Sequence, residues 1–418
     1  MEKSLGQGVP TVSEHFGQGV PTASVHFGEE VLTASVRSNE KVRCHRERLD
    51  KVRELLRQRQ LNGVLLTQEP NVAWLFSGRY HINVVGETAC AAIYVSMTRV
   101  EALVNNIEAK RIELEEGLLV DETHVHSWYD DAARQGQIQS WLNQPGVVGD
   151  TFLSGEMREL RMTLEADRVL AARKIGRLLA ESLEETCLQA VRGESELSVA
   201  ARLSKACLTR GIEPIVNLVG NEERAQQFRH LLPTEQRIHQ YAIVSVGGRR
   251  AGMVFSATRM FHFGPVPSEL LRRYQSVLRV EAAFLAASRP SRVGQTLGSV
   301  FTRGVQQYAR EGYPDEWQFH HQGGVAGYQS REIRAVAESE WKLQPNILLA
   351  WNPSIRGVKA EETALVTDGN VEILTRTDDF PLTTVTVDGV NGGVDVDEID
   401  GVNHVHDVRM ELPDILVL

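Results

Sequence analysis

VSVGGRRAGMVFSATRMF, residues 244–261, is the stretch on which the reading of the fold turns. Val244 and Val246 alternate with Ser245, the Gly247-Gly248 pair signals a turn, and the apolar run Met253–Phe255 follows Gly252. Alternation at period two puts the valines on one face of an extended chain, and paired glycines let the chain reverse. The pattern predicts a β-hairpin with Arg249 and Arg250 at its tip.

Around this hairpin lies a chain of 418 residues, 42% hydrophobic and 24% charged, long enough for two or three domains with their own cores. The net charge of -10 argues against a general nucleic-acid binder, which needs clustered positive charge. Cys44, Cys90, Cys187 and Cys207 show no C-x-x-C or zinc spacing and read as reduced thiols of a cytoplasmic protein. No apolar run approaches the roughly 18–20 residues of a membrane span, and no signal-peptide core is visible, so no membrane partner is expected. Nor is there a G-x-S-x-G elbow, a phosphate loop or a dinucleotide fingerprint.

Residues 1–42 carry an eleven-residue repeat: GQGVPTVSEHF (6–16), GQGVPTASVHF (17–27) and the degraded copy GEEVLTASVRS (28–38). Pro10, Pro21 and the G-x-G pairs oppose helix, so a flexible extension is expected. The first folded unit is placed at 43–160. In it Leu49, Val52, Leu55 and Leu56 make a helical stripe, and strands are expected at 91–96 and 100–104 with helices near 107–116 and 132–142. This alternation indicates an α/β domain. The second unit, 161–377, opens on a long helix, 164–191, and a second one begun by Ser195 and closed by Gly211. Helices capped by Ser268 and begun at Thr296 and strands at 347–351, 364–367 and 371–374 follow. The remainder, 378–418, reads as a C-terminal tail. Its twelve-residue repeat (388–394 and 400–406), its acidic run 395–401 and the pair His404 and His406 suggest a solvated hairpin rather than a metal loop.

The central hairpin resembles the segment D-x-G-x-x-x-x-G-Y-x-S-D-x-T-R-T-F of the creatinase/prolidase/methionine-aminopeptidase (M24) family, keeping Gly247, Gly252, Thr258, Arg259 and Phe261. NVAWLFSG (71–78) is similar to that family's N-x-x-Y-L-T-G signature in its N-terminal domain. The resemblance, over about 43–377, implies an α/β N-terminal domain followed by an α+β "pita-bread" domain, a curved antiparallel sheet covered by helices. It also implies a homodimer, with the neighbour's N-terminal domain closing the pocket through the aromatic and the arginine of FSGRYH, Phe76 and Arg79.

In the family's metallopeptidases Asp, Asp, His, Glu and Glu hold two metal ions. Carried across, these positions fall on Ser245, Ser256, Gly324, Asn352 and, from the I-E-D-T motif, Glu361 or Glu362 in AEET. One carboxylate does not hold two divalent ions, so no metal and no cofactor are expected. The substrate-side histidines are kept: His230 in RHLLPT and His320 in HHQGG. GGVAGYQSRE (323–332) aligns without a gap with G-R-E-A-G-L-E-L-R-E of metal-free creatinase and keeps Arg331-Glu332, whereas creatinase's other active-site Glu falls on Thr258.

These residues suit acid/base chemistry on a C–N bond. Histidine titrates near neutrality and can take a proton from water and return it to a leaving nitrogen. A carboxylate can orient it, and arginine offers a fork for a substrate carboxylate. The expected catalytic pair is His230 and Glu361. His320, Arg331, Phe76, Arg79, Thr258, Ser245, Ser256 and Asn352 are expected to contact a small amino-acid-like substrate, in a metal-independent hydrolase or a related lyase or cyclase. The bland readings are a surface His230 in a charged loop, turn histidines at 320–321 and a solvated Arg331-Glu332 pair. The alternative function is an inactive relative that binds a peptide or protein.

Overall fold

The computed structural model describes residues 34–289, 295–388, 396–399, 402–405 and 407–418. Val42–Leu418 is one compact unit, and residues 34–41 are the opening turns of the first helix, Ala34–Gln58. The repeats of residues 6–33, residues 395, 400 and 401 of the acidic run, and His406 lie outside the described residues.

The N-terminal lobe is a five-stranded mixed sheet in the order Glu122–His126, Val100–Asn105, Thr88–Ser96, Gly63–Gln68, Val147–Gly149. Val64 and Leu66 alternate with Leu65 across the sheet, so each of its faces is apolar and takes helices. On one side Val52 and Leu56 of the first helix share a core with Val64 and Leu66, and on the other Leu65 packs with Trp141 of helix Asp131–Leu142.

The C-terminal lobe is built from two sheets. Glu213–Asn221, Tyr241–Arg250 and Met253–His262 run antiparallel, and Leu416–Val417 adds a parallel edge strand. The second sheet orders Ile333–Arg334, Gly323–Ala326, Ile347–Trp351, Glu362–Val366 and Val371–Ile373, all antiparallel. The sheets are stitched along Met253–His262: Val254 N–H donates to Gly327 O at 2.8 Å and Thr258 N–H to Glu361 O at 3.0 Å. Helices Ala166–Leu188, Glu196–Thr209, Ser268–Ala287 and Leu297–Arg310 cover them. One continuous apolar core runs from Leu49 through Phe76 and Leu179 to Phe255 and Leu348, so the two lobes share it. A second core lies under helix Ser268–Ala287, where Phe284 stacks on Trp351 at 4.5 Å.

Three expectations are corrected. The hairpin turns at Ala251-Gly252, both with positive φ (51° and 80°), as a two-residue reversal requires. Gly247 and Gly248 instead lie inside the strand, where a Cβ on Gly248 would stand 2.5 Å from Ile212 and 2.6 Å from Leu179. The residues read as a tail belong to the domain: Leu382–Val387 pairs with Val408–Pro413, burying Val385, Val387, Val408 and Leu412 in the second core. Val396–Ile399 pairs with Val402–Val405 as a hairpin. Finally, Ser268 is the first residue of its helix and makes no capping bond, whereas Ser195 and Thr296 do cap theirs, accepting from Ser198 N–H and Ser299 N–H.

Candidate functional site

Pairing in the central hairpin sets Ser245 opposite Thr258, Gly247 opposite Ser256 and Arg249 opposite Val254. Residues two apart share a face, so these six positions form one floor. Arg259, on the other face, is fully buried and binds Glu184 at 2.8 and 3.0 Å and Glu362 at 2.5 Å. That settles which glutamate faces the site: Glu362 is tied beneath the sheet, and Glu361 stands above it.

Over this floor opens a cleft of about 470 Å³. His230, Ser245, Ser256, His320, Arg331, Asn352 and Glu361, drawn from several separate segments of the chain, all line it. Thr258 lies just beneath, buried, with its hydroxyl 2.7 Å from Ser245 Oγ and donating to Glu361 Oε2 at 2.9 Å. The N-terminal lobe of the same chain closes one side through Gln68, Glu69, Pro70 and residues 84–87. Phe76 and Arg79 are not among the lining residues. Phe76 is 3% exposed and stacks on His45 at 4.8 Å within the lobe core, which leaves it unable to reach a pocket in this chain or another. Arg79 pairs with Glu115 and Glu116 at the lobe surface.

Two polar residues that the sequence reading did not assign are central. Pro353 is followed by a tight hairpin, Ser354–Ile355 against Val358–Lys359, reversed at Gly357 (φ 86°). It delivers Lys359 into the cleft, with Nζ 2.7 Å from Glu361 Oε2 and 3.3 Å from Ser245 Oγ. Lys359 and Glu361 are two apart, and period-two alternation alone would have placed them together. His321 also lines the cleft, its ring stacked on that of His320 at 4.7 Å.

Electrostatics follow from these contacts. Burial would raise the Glu361 pKa, but Lys359 and Arg331, with hydrogen bonds from Lys359 and Thr258, overcome it and hold the carboxyl at about 2. Its Oε1 accepts from Arg331 Nη2 at 3.2 Å. Glu361 therefore makes no hydrogen bond to His230, contrary to expectation, and acts on it only through space. The partner of His230 is His320, Nε2 to Nε2 at 3.2 Å. His320 is driven down to about 2 by burial and then by Lys359, and His321 to about 4 by desolvation and then Arg331. His230, at the cleft mouth, is lowered by desolvation and Lys359. All three rings are neutral at pH 7. His320 Nδ1 is buried without a hydrogen-bond partner among the described residues. Tyr308 and Gln322 fix the His320 backbone: Tyr308 O–H donates to Gln322 Oε1 at 2.8 Å, and Gln322 Nε2 to His320 O at 2.5 Å.

The residues do not fit the family's dinuclear metal centre. Ser245, Ser256 and Asn352 are neutral, and Glu361, the one carboxylate of the set, is neutralised by two cations. Gly324 has φ 144°, and a Cβ there would lie 2.1 Å from Ile333 O, so that position cannot carry a ligand side chain. His230, His320 and His321 bring ring nitrogens within 4.8 Å of one another, but Lys359 and Arg331 stand beside them and oppose a dication.

Comparison with known proteins agrees with this architecture. Residues 171–368 match the family model described as Metallopeptidase family M24. The chain is 21% identical over 358 residues to an Xaa-Pro dipeptidase of Pyrococcus horikoshii, covering 79% of this chain and 97% of that protein. It is 24% identical over 273 residues to an uncharacterised peptidase of Staphylococcus aureus, covering 62% and 73%. The solved prolidase of Pyrococcus horikoshii OT3 superposes with a TM-score of 0.66 at 17% identity, over 79% of this chain and 99% of its own. Among the described residues no helix is long and apolar enough to cross a membrane. By fold the chain is a pita-bread protein, and by sequence residues 171–368 match the M24 metallopeptidases.

Proposed function

We propose that this protein hydrolyses an amide-type C–N bond of a small amino-acid-like molecule without a dinuclear metal centre. The supporting observation is that the His230–His320 pair, Arg331 and Glu361 line one cleft with Ser245, Ser256 and Asn352. A binding module has no use for a neutral imidazole pair held by a dedicated scaffold at a cleft mouth. In this reading His230 takes a proton from water as the water oxygen bonds to the carbonyl carbon. The C–N bond then breaks, and His230 returns the proton to the leaving nitrogen. His320 fixes the ring of His230, and Arg331 holds a substrate carboxylate through a forked contact. The similarity of the chain to Xaa-Pro dipeptidases supports a hydrolase of small peptide-like molecules. A homodimer is part of the proposal, carried over from the resemblance.

The test is turnover of chelator-treated protein against a panel of dipeptides, N-acyl amino acids and guanidino acids, beside His230→Gln. Hydrolysis that persists without metal and falls at least ~100-fold in the variant supports the proposal. Hydrolysis that appears only after Mn²⁺ or Zn²⁺ is added rejects metal independence. No turnover with any compound favours the binding module.

A further inference from the structure

The metal-ligand positions are lost, yet the charge they held is not. Lys359 lies between two of those positions, 3.3 Å from the hydroxyl of Ser245 and 2.7 Å from the carboxylate of Glu361. Its side chain is almost wholly buried, and it lines the cleft. An ammonium has three donors. One goes to Ser245 and one to Glu361, and the third has no protein partner among the described residues. Thr258 ties Ser245 and Glu361 together from below, so the nitrogen is held in a fixed frame rather than on a free stem.

We propose that the Lys359 ammonium replaces the metal as the electrophile of this site, its third N–H donating to the substrate carbonyl oxygen. The proposal rests on the hydrolase reading above. As water adds to the carbonyl carbon, the oxygen gains negative charge, and a fixed cation in a partly desolvated cleft favours that charge more than the neutral carbonyl. Glu361 holds the ammonium in place and offsets the cost of its burial. The substrate class narrows accordingly, to amides and peptides with a carbonyl oxygen able to reach the floor beside Ser245. A guanidinium substrate is disfavoured, because Lys359 would oppose it and Thr258 offers no carboxylate to pair with it.

The test uses the full chain in two arms. In the first, Co²⁺ is titrated into S245D/N352E, with and without K359M, and its visible absorption is followed. An ammonium about 3 Å from the site opposes a dication, so its removal is expected to tighten Co²⁺ binding at least ~10-fold. Equal affinity in both backgrounds would overturn the placement of Lys359 at the metal's position. In the second arm the same substrate panel is run with K359M and K359R. K359M is expected to lower kcat by about 10²–10³ with KM within a few-fold, the loss typical of one oxyanion donor, and K359R to recover part of it. If K359M alone is unstable, K359M/E361Q removes both halves of the ion pair and is expected to show the same loss. An unchanged kcat in either variant would overturn the electrophile role. Failure of the hydrolase reading looks different: the wild type turns over nothing, while the Co²⁺ arm still reports the lysine's position.

Discussion

Replacing Glu361 by glutamine tests the ion cluster at the cleft floor without creating a cavity. The residue is 6% exposed, and its oxygens are taken by Lys359, Thr258 and Arg331. Its carboxyl is held at about 2 against an ordinary 4.5. A shift of that size corresponds to about 3 kcal/mol of folding stability at neutral pH, at about 1.4 kcal/mol per unit. The folded value is the lower one, so this stabilisation is complete well above pH 4.5 and is lost as pH falls toward 2. Breaking a buried pair from one side costs about 3–5 kcal/mol, an independent figure that agrees. Glu361→Gln keeps the shape and leaves both Lys359 and Arg331 short of an anion. Urea unfolding followed by tryptophan fluorescence should place it about 3 kcal/mol below wild type at pH 7. Linkage leaves less than half of that difference at pH 3. A difference under about 1 kcal/mol at pH 7, or one that is flat from pH 7 to pH 3, would refute the ion-cluster account.

Other perturbations probe other links of the argument. Gly324→Ala forces a Cβ onto Ile333 O at φ 144° and should cost more than about 2 kcal/mol in the same unfolding assay. A tolerated alanine would mean that a ligand could be rebuilt there. Leu412→Ala, in the strand read from sequence as a tail, should cost about 2–5 kcal/mol because the residue is fully buried. A cost near zero would return that segment to the solvent. The acid limb of kcat/KM should turn below pH 6.5, since desolvation and Lys359 lower the pKa of His230 and the base must be unprotonated. An inflection above 6.5 that survives in His230→Gln would exclude it as the base.

The elements were legible wherever a single face decides the pattern. Strand Ile347–Trp351 and the helices ending at Leu142 and Ala287 follow from local periodicity and lie where it puts them. Where turn chemistry competes with packing, the reading erred. Gly247-Gly248 imitates a reversal because paired glycines are a turn signal, but these are glycines for close approach, with Ile212, Leu179 and Val216 filling the space. The C-terminal strands were hidden for a related reason. Val385, Val387, Val408 and Leu412 alternate correctly, but the loose repeat between them drew the whole segment into one class.

The site shows a different limit. Position-by-position correspondence identified His230, His320, Arg331 and Glu361, and they do share one cleft. It could not identify a residue whose role has no counterpart at an equivalent position. By the resemblance Ser245 stands where the family has Asp, and read alone that correspondence says only that the position is neutral. The fold adds what that correspondence does not contain: a six-residue hairpin after Pro353, residues 354–359, carries Lys359 back beside Ser245 and Glu361. A carboxylate at position 245 would compete with Glu361 for the ammonium, whereas the serine hydroxyl accepts from it and leaves the Lys359–Glu361 pair intact. A Ser245→Asp variant that keeps Lys359 should therefore weaken the Lys359–Glu361 pair before it gains any affinity for metal.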